Sequence, residues 1–118
     1  QSWSMRRNSS VPVRLLLDEC VPRRLARHLE PHDVRTVRQE SWSGLKNGQL
    51  LAQAAQCFDV FLTVDQGIPH QQNLVTLEIC VIALAGRTND IRDLEPLVPS
   101  LLAALPRAQP GMFIRIDT

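Results

Sequence analysis

The sequence predicts an α/β protein, a three-layer α/β/α sandwich around a mainly parallel central sheet. Two short apolar runs, residues 13–17 and 60–64, each lead directly into an acidic residue. Runs of this kind are typical of strands that are buried on both faces of a parallel sheet. Segments with helical spacing separate the apolar runs, and this alternation favours a sheet that is covered by helices on both faces.

Length and composition favour a single folded domain. The chain has 118 residues, of which 44% are hydrophobic, enough for one core. We assign the domain to residues 13–118 and expect residues 1–12 to be a flexible polar tail, in part a cloning remnant ahead of Met5. No apolar run approaches the roughly 18 residues of a membrane span, and the polar start does not resemble a signal peptide. We therefore expect a cytoplasmic protein with no membrane partner.

The three cysteines, Cys20, Cys57 and Cys80, contain no CxxC pair. Their mostly apolar settings favour buried thiols in a reducing compartment over zinc ligands or disulfides.

The first half of the chain is predicted to contain two strands, residues 13–17 and 34–37, and two helices. Pro22 suits the first turn of the helix between the strands, and Pro31 ends that helix. Asn47 is predicted to be the N-cap of the second helix, because the apolar residues that follow it have helical spacing.

The second half is predicted to contain three strands, over residues 60–64, 79–84 and 112–116, the last at an edge of the sheet. A helical turn is expected near residues 71–75, within a polar connection. Residues 93–105 carry an apolar stripe with helical spacing. Pro96 and Pro99 must either fall in the first turn of that helix or break it in two.

Acidic residues follow two of the predicted strands. Asp18 and Glu19 follow the first strand, and Asp65 follows the third. Because open α/β sheets bind ligands at the carboxyl ends of their strands, we expect these acids to meet across one crevice. Close carboxylates repel each other, and a bound cation relieves the repulsion. Oxygen ligands favour Mg²⁺ or Mn²⁺. The alternative is that Asp18 and Asp65 merely cap the helices that follow them.

Other polar residues are secondary candidates. Glu40, after the second strand, either reaches the same crevice or is a solvated loop residue. The side-chain oxygen of Asn47 either faces a metal or is engaged in capping its helix. Thr63, inside the third strand, is expected to be structural.

Arginines are concentrated near the first acid, and five of them could contact a phosphate backbone: Arg23, Arg24, Arg27, Arg35 and Arg38. An ordinary charged helix face is the alternative interpretation. His70 either contacts a phosphate or a base, or lies on the surface.

Three segments, in this order and spacing, resemble small PIN-like proteins: residues 15–19, 44–51 and 59–65. The resemblance extends over about residues 13–116. It implies a metal-dependent ribonuclease similar to the VapC-type toxins of bacterial toxin–antitoxin pairs. RNA, a cognate antitoxin and a second copy of the chain are the partners that it implies.

Carried over by position, the resemblance matches Asp18 to the first strand-end acid and Asp65 to the later one. Glu19 is an adjacent acid. Asn47 stands where many relatives have an acid, and Asp90 is the candidate for the acid that follows the fourth strand. The implied metal ligands are thus Asp18, Glu19, Asn47 and Asp65, with Glu40 and Asp90 as additional candidates.

Two other classes of protein remain open. A receiver-type phosphoacceptor domain also has an acid pair after its first strand and an acid after its third, but it needs a Lys after its last strand. Here the only Lys is Lys46. The other class is a non-catalytic PIN-like module that binds RNA or protein.

Overall fold

The computed structural model of the chain describes residues 12–117, so most of the predicted tail, residues 1–11, lies outside the described part. Five parallel strands form its sheet: β1 (Arg14–Leu17), β2 (Asp33–Thr36), β3 (Val60–Thr63), β4 (Cys80–Leu84) and β5 (Phe113–Ile116). The strand order is β2-β1-β3-β4-β5, which places β5 at an edge as predicted. The predicted class, α/β with a parallel sheet, is confirmed.

Four short α-helices connect the strands: α1 (Asn47–Cys57), α2 (Ile68–Gln71), α3 (Ile91–Leu94) and α4 (Val98–Ala104). The connections also contain 3₁₀ helices, at Arg23–Leu29, Leu74–Thr76, Glu95–Leu97 and Leu105–Arg107. None of the helices within residues 12–117 has both the length and the apolar character that crossing a membrane requires.

The core lies in two layers, one on each face of the sheet. Leu15 and Leu17 of β1 pack with the 3₁₀ helix Arg23–Leu29 and with α4, in the first core layer. Leu16 packs with α1 in the second layer. Successive residues of a strand point to opposite faces, so an uninterrupted apolar strand contributes to both layers.

The helix that follows β1 differs from the prediction. It is a 3₁₀ helix, with Pro22 at its N-cap, and the amide of Leu25 donates to the carbonyl of Pro22 at 3.0 Å. Pro22 and Pro31 leave room only for a short helix, although at seven residues this one is longer than most 3₁₀ helices.

The predicted N-cap of α1 is wrong. Lys46 is the N-cap, in an extended conformation and with no side-chain capping bond, and Asn47 is the first helical residue. The amide of Leu50 donates to the carbonyl of Lys46 at 2.8 Å, which begins the helix one residue earlier than predicted.

Two other helical predictions need adjustment. The turn expected at residues 71–75 is replaced by α2 and the 3₁₀ helix Leu74–Thr76, which lie on either side of a break. Pro69 lies in the first turn of α2, a position that favours proline. Between α3 and the end of α4 the helix is broken, because Pro96 and Pro99 each begin a new segment.

Candidate functional site

The strand order reverses between β1 and β3. The chain continues from β1 to β2 on one side, and from β3 to β4 on the other. The first connection packs on one face of the sheet, and α2, in the second, packs on the opposite face. Such a switch point opens a crevice at the carboxyl ends of the two strands, where open α/β sheets bind their ligands. Asp18 and Thr63 lie at that position.

Asp18 is held against Thr63 by main-chain and side-chain bonds. The amide of Asp18 donates to the carbonyl of Leu62 at 2.9 Å, which extends the β1–β3 pairing by one residue. The fully buried Thr63 hydroxyl donates to Oδ2 of Asp18 at 2.8 Å. The amide of Glu19 donates to Oδ1 at 2.8 Å. Both carboxylate oxygens of Asp18 are therefore oriented by donors.

Thr63 also contacts the segment that contains Asp65. The amide of Asp65 donates to the Thr63 hydroxyl at 3.0 Å. The carboxylate of Asp65 accepts a bond from the amide of Gly67 at 2.8 Å, so it stabilises the turn before α2. Thr63 has a more central position than the structural role predicted for it, because its hydroxyl bonds to the segments of both acids. The signal in the sequence was a hydroxyl at the end of an apolar strand and two residues before an acid.

Cys20 lies beside the same hydroxyl. Its Sγ donates to Oδ2 of Asp18 at 3.5 Å and lies 3.6 Å from Oγ1 of Thr63. Burial raises the pKa of the Cys20 thiol. The prediction of buried thiols is right for Cys80 and wrong for Cys57, which is exposed.

The three predicted acids do not form a metal-binding cluster. Within residues 12–117, no group of three or more His, Cys, Asp or Glu side chains is arranged to hold a metal ion. Glu19 is exposed, whereas Asp18 and Asp65 are partly buried. Two carboxylates, Asp18 and Asp65, are fewer ligands than a Mg²⁺ or Mn²⁺ ion held by protein groups alone would need. An ion bound to them would have to keep several waters or be completed by substrate phosphates.

The remaining predicted ligands have other partners. Asn47 donates from Nδ2 to Oε1 of Gln71 at 3.5 Å, which links the start of α1 to the end of α2. Glu40 is in an ion pair with Arg35, with 2.6 Å between Oε2 and Nε. Neither residue is placed against Asp18 by these contacts.

Asp90 caps α3. Its Oδ1 accepts from the amide of Arg92 at 2.9 Å, and hydrogen bonds from Arg92 hold the pKa of the Asp90 carboxyl below its usual value. The neighbouring Asn89 donates from Nδ2 to the carbonyl of Cys20 at 3.2 Å. The loop after β4 thus reaches the loop after β1 through Asn89.

A groove of about 930 Å³ opens beside Asp18. The 3₁₀ helix Arg23–Leu29, β2 and the loops that follow β1 and β2 form its walls. Its charged lining residues are Asp18, Glu19, Arg23, Arg24, Arg27 and Arg38.

Several residues proposed from the sequence do not line the groove, among them Asp65, Arg35 and His70. Arg35 is paired with Glu40, and His70 is exposed near the end of α2. The groove therefore brings together four of the five predicted arginines with two of the predicted acids.

Comparisons of the chain with models of protein families, with curated proteins and with solved structures found no match. The likeness to PIN-like proteins therefore depends on the three sequence segments and their order.

Proposed function

We propose that this protein is a metal-dependent ribonuclease of the PIN-like type. The observation that carries the proposal is the position of Asp18. It lies at the switch point of a parallel sheet, is oriented by the Thr63 hydroxyl, and borders a groove with four arginines. An oriented carboxylate beside a basic groove suits the cleavage of a polyanion, because the arginines attract phosphates and the carboxylate can hold a cation.

In the proposed reaction, Asp18 and Asp65 hold Mg²⁺ or Mn²⁺, with Glu19 close by. When bound, such an ion polarises the phosphodiester and activates water for in-line attack. Thr63 keeps the Asp18 carboxylate in one orientation through its 2.8 Å hydrogen bond. The arginines of the groove bind the RNA phosphates, and no protein side chain acts as the nucleophile.

The biological role that we propose is the toxin of a bacterial toxin–antitoxin pair. Its partners are RNA, a cognate antitoxin and a second copy of the chain. A neighbouring upstream gene for a small protein with a DNA-binding sequence would support this role. Its absence would favour an RNA-processing enzyme without an antitoxin.

The test of the proposed activity is Asp65→Asn. Its amide oxygen can still accept the bond from the Gly67 amide, so we expect a folded protein. An amide does not supply the ligand charge, so cleavage of single-stranded RNA in Mg²⁺ or Mn²⁺ should be lost. The parent protein should cleave and should stop in EDTA. Unchanged cleavage by folded Asp65→Asn protein would exclude this assignment of the site.

A non-catalytic PIN-like module is the second candidate. It is favoured by one observation, that residues 12–117 contain no cluster of three or more metal-ligating side chains. Such a module would bind RNA or a partner protein through the basic groove. Binding without metal-dependent cleavage would identify it.

The receiver-type phosphoacceptor domain is less well supported. The strand order β2-β1-β3-β4-β5 also occurs in that class. However, the only Lys, Lys46, is the N-cap of α1. Ile116, which ends β5, and Asp117, which follows it, provide no amine.

A further inference from the structure

We infer that the groove between the 3₁₀ helix Arg23–Leu29 and β2 binds the sugar–phosphate backbone of a single-stranded nucleic acid without distinguishing bases or sugars. The inference rests on the proposed function for the choice of a nucleic acid as the ligand. The groove would then select its ligands only by their negative charge and by the flexibility of the strand.

The arginines of the groove are available for a ligand. Arg23, Arg24, Arg27 and Arg38 are all exposed, and in the described part of the chain none of them forms an ion pair. Arg24 also contributes weakly, through its charge, to the lowered pKa of the Asp90 carboxyl. Arg35 and Arg115, which lie outside the groove, are paired with acids. Unpaired guanidinium groups bind phosphates with two parallel hydrogen bonds.

The two uncharged polar side chains of the groove each accept a hydrogen bond from the main chain of the other residue. Gln39 accepts at Oε1 from the amide of Thr36 at 2.9 Å, and the Gln39 amide donates to Oγ1 of Thr36 at 3.0 Å. Recognition of a base edge or of a 2′-hydroxyl needs a free, directed polar group. Both side-chain oxygens accept within this turn, so among the described lining residues the Thr36 hydroxyl and the Gln39 side-chain NH₂ are the uncharged donors that remain, against four arginines.

Among the residues that the structure describes, the floor of the groove contains no aromatic side chain on which a base could stack. Its uncharged, apolar lining residues are Val21, Pro22, Ala26, Val34 and Val37. Binding of single strands that reads or grips the bases commonly uses aromatic side chains. Trp42, the aromatic residue in the loop after β2, packs edge-on to Phe58 instead, with ring centroids 6.1 Å apart. Sugars can pack on the aliphatic floor while the bases point to solvent.

The spacing of the arginines suits a row of phosphates. Arg24 and Arg27 are three residues apart on a 3₁₀ helix, where residues i and i+3 lie in line, about 6 Å apart along the axis. This separation is close to that of successive phosphates in an extended strand. Asp18 and Glu19 also line the groove, at one end. Their charges would repel an acidic protein segment from that end. A metal ion bound there would instead attract a phosphate.

The test measures binding by the parent protein in EDTA, using short fluorescent oligonucleotides. RNA and DNA of matched sequence, and RNAs rich in each base, should bind with nearly equal affinity. Four phosphate contacts predict a log–log salt slope of about −2.8, so affinity should fall about 50-fold between 50 and 200 mM salt. Arg27→Gln and Arg38→Gln should each reduce the slope by about 0.7. Arg107→Gln, an equal loss of charge outside the groove, is the matched control and should leave it unchanged.

Three results would overturn the inference. One is discrimination of about fivefold or more between bases or between RNA and DNA, because a base-specific contact contributes about 1 kcal/mol or more. Another is a salt slope that Arg27→Gln and Arg38→Gln leave unaltered. The third is tight binding of polyglutamate with no binding of oligonucleotides. Because EDTA removes metal-dependent cleavage from the assay, a failure of groove binding can be distinguished from a failure of catalysis.

Discussion

The Thr63 hydroxyl donates a 2.8 Å hydrogen bond to the carboxylate of Asp18 across the β1–β3 pair. Thr63 is fully buried, whereas Asp18 is only partly buried. The buried hydroxyl thus fixes one oxygen of the Asp18 carboxylate, and Asp18 still lines the groove. The same hydroxyl accepts from the amide of Asp65, so one buried atom positions the segments that contain both strand-end acids.

Thr63→Val should destabilise the fold by about 1–3 kcal/mol, because it removes a buried hydroxyl and leaves the Asp65 amide without its acceptor. Urea denaturation measures this change. Thr63→Ser keeps the hydroxyl and should lose less free energy of unfolding. Thr76→Val is the control, since the Thr76 hydroxyl bonds to the carbonyl of Asn73 at an exposed site. Equal losses of unfolding free energy in Thr63→Val and Thr76→Val would mean that the Thr63 hydroxyl has no special role in the fold.

Mn²⁺ should stabilise the parent protein if Asp18 and Asp65 hold the ion. An ion present at about 100 times its dissociation constant adds about 2.7 kcal/mol. For a chain of this length, that is a rise of about 8–15 °C in Tm. The rise should vanish in Asp18→Asn, whose amide oxygen can still accept from Thr63. Thermal melts with and without Mn²⁺ measure it.

If the proposed likeness to PIN-like proteins holds, Asn47→Asp should keep or enlarge the Mn²⁺ effect, because it places an acid where those proteins often have one. Residue 47 is the first residue of α1 and does not cap it. An acid in the first turn of a helix contributes about 0.3–1 kcal/mol through the helix dipole, so the metal-free protein should remain folded. If neither the parent nor Asn47→Asp responds to Mn²⁺, the non-catalytic module is the better interpretation.

Asp59→Ala should destabilise the protein much more than Glu40→Ala. Asp59 is 1% exposed and accepts bonds from both the amide and the guanidinium of Arg14. Losing these charged hydrogen bonds should cost about 2–3 kcal/mol. Glu40 pairs with the half-exposed Arg35, and such surface pairs contribute at most about 1 kcal/mol. Similar denaturation midpoints for the two variants would contradict the structural role of Asp59.

Alkylation should distinguish the three cysteines. We expect iodoacetamide at mildly alkaline pH to modify Cys57 first, because it is exposed, and Cys80 last, because it is buried. Cys20 should react slowly, since burial raises its pKa and so lowers its thiolate fraction. Peptide mass spectrometry at increasing reaction times gives the order. Faster modification of Cys20 than of Cys57 would place Cys20 in a more open environment than the structure has.

The main elements of the fold could be predicted from sequence because their signals are local. Continuous apolar runs such as β3 are interpretable as buried parallel strands. An acid directly after a strand must lie at the carboxyl edge of the sheet, whatever the order of the strands. These two facts placed Asp18 and Asp65 at the same edge.

Details of the helix starts could not be predicted, because they depend on single hydrogen bonds. Asn is a favoured N-cap, but the carbonyl of Lys46 accepts the first bond of α1 and leaves Asn47 inside the helix. Asp65 follows its strand as predicted, yet its carboxylate accepts from the nearby Gly67 amide.

The sequence by itself determined the α/β class and the strand ends that carry acids, because burial periodicity and chain direction are properties of contiguous residues. Only the tertiary structure decided that Thr63 lies beside Asp18, and that Arg38 joins the arginines of the first helix in one groove. Those residues are far apart in the chain. They meet because β1 is paired with both β2 and β3. Which distant strands pair depends on how the whole core packs, and no local segment of the sequence specifies it.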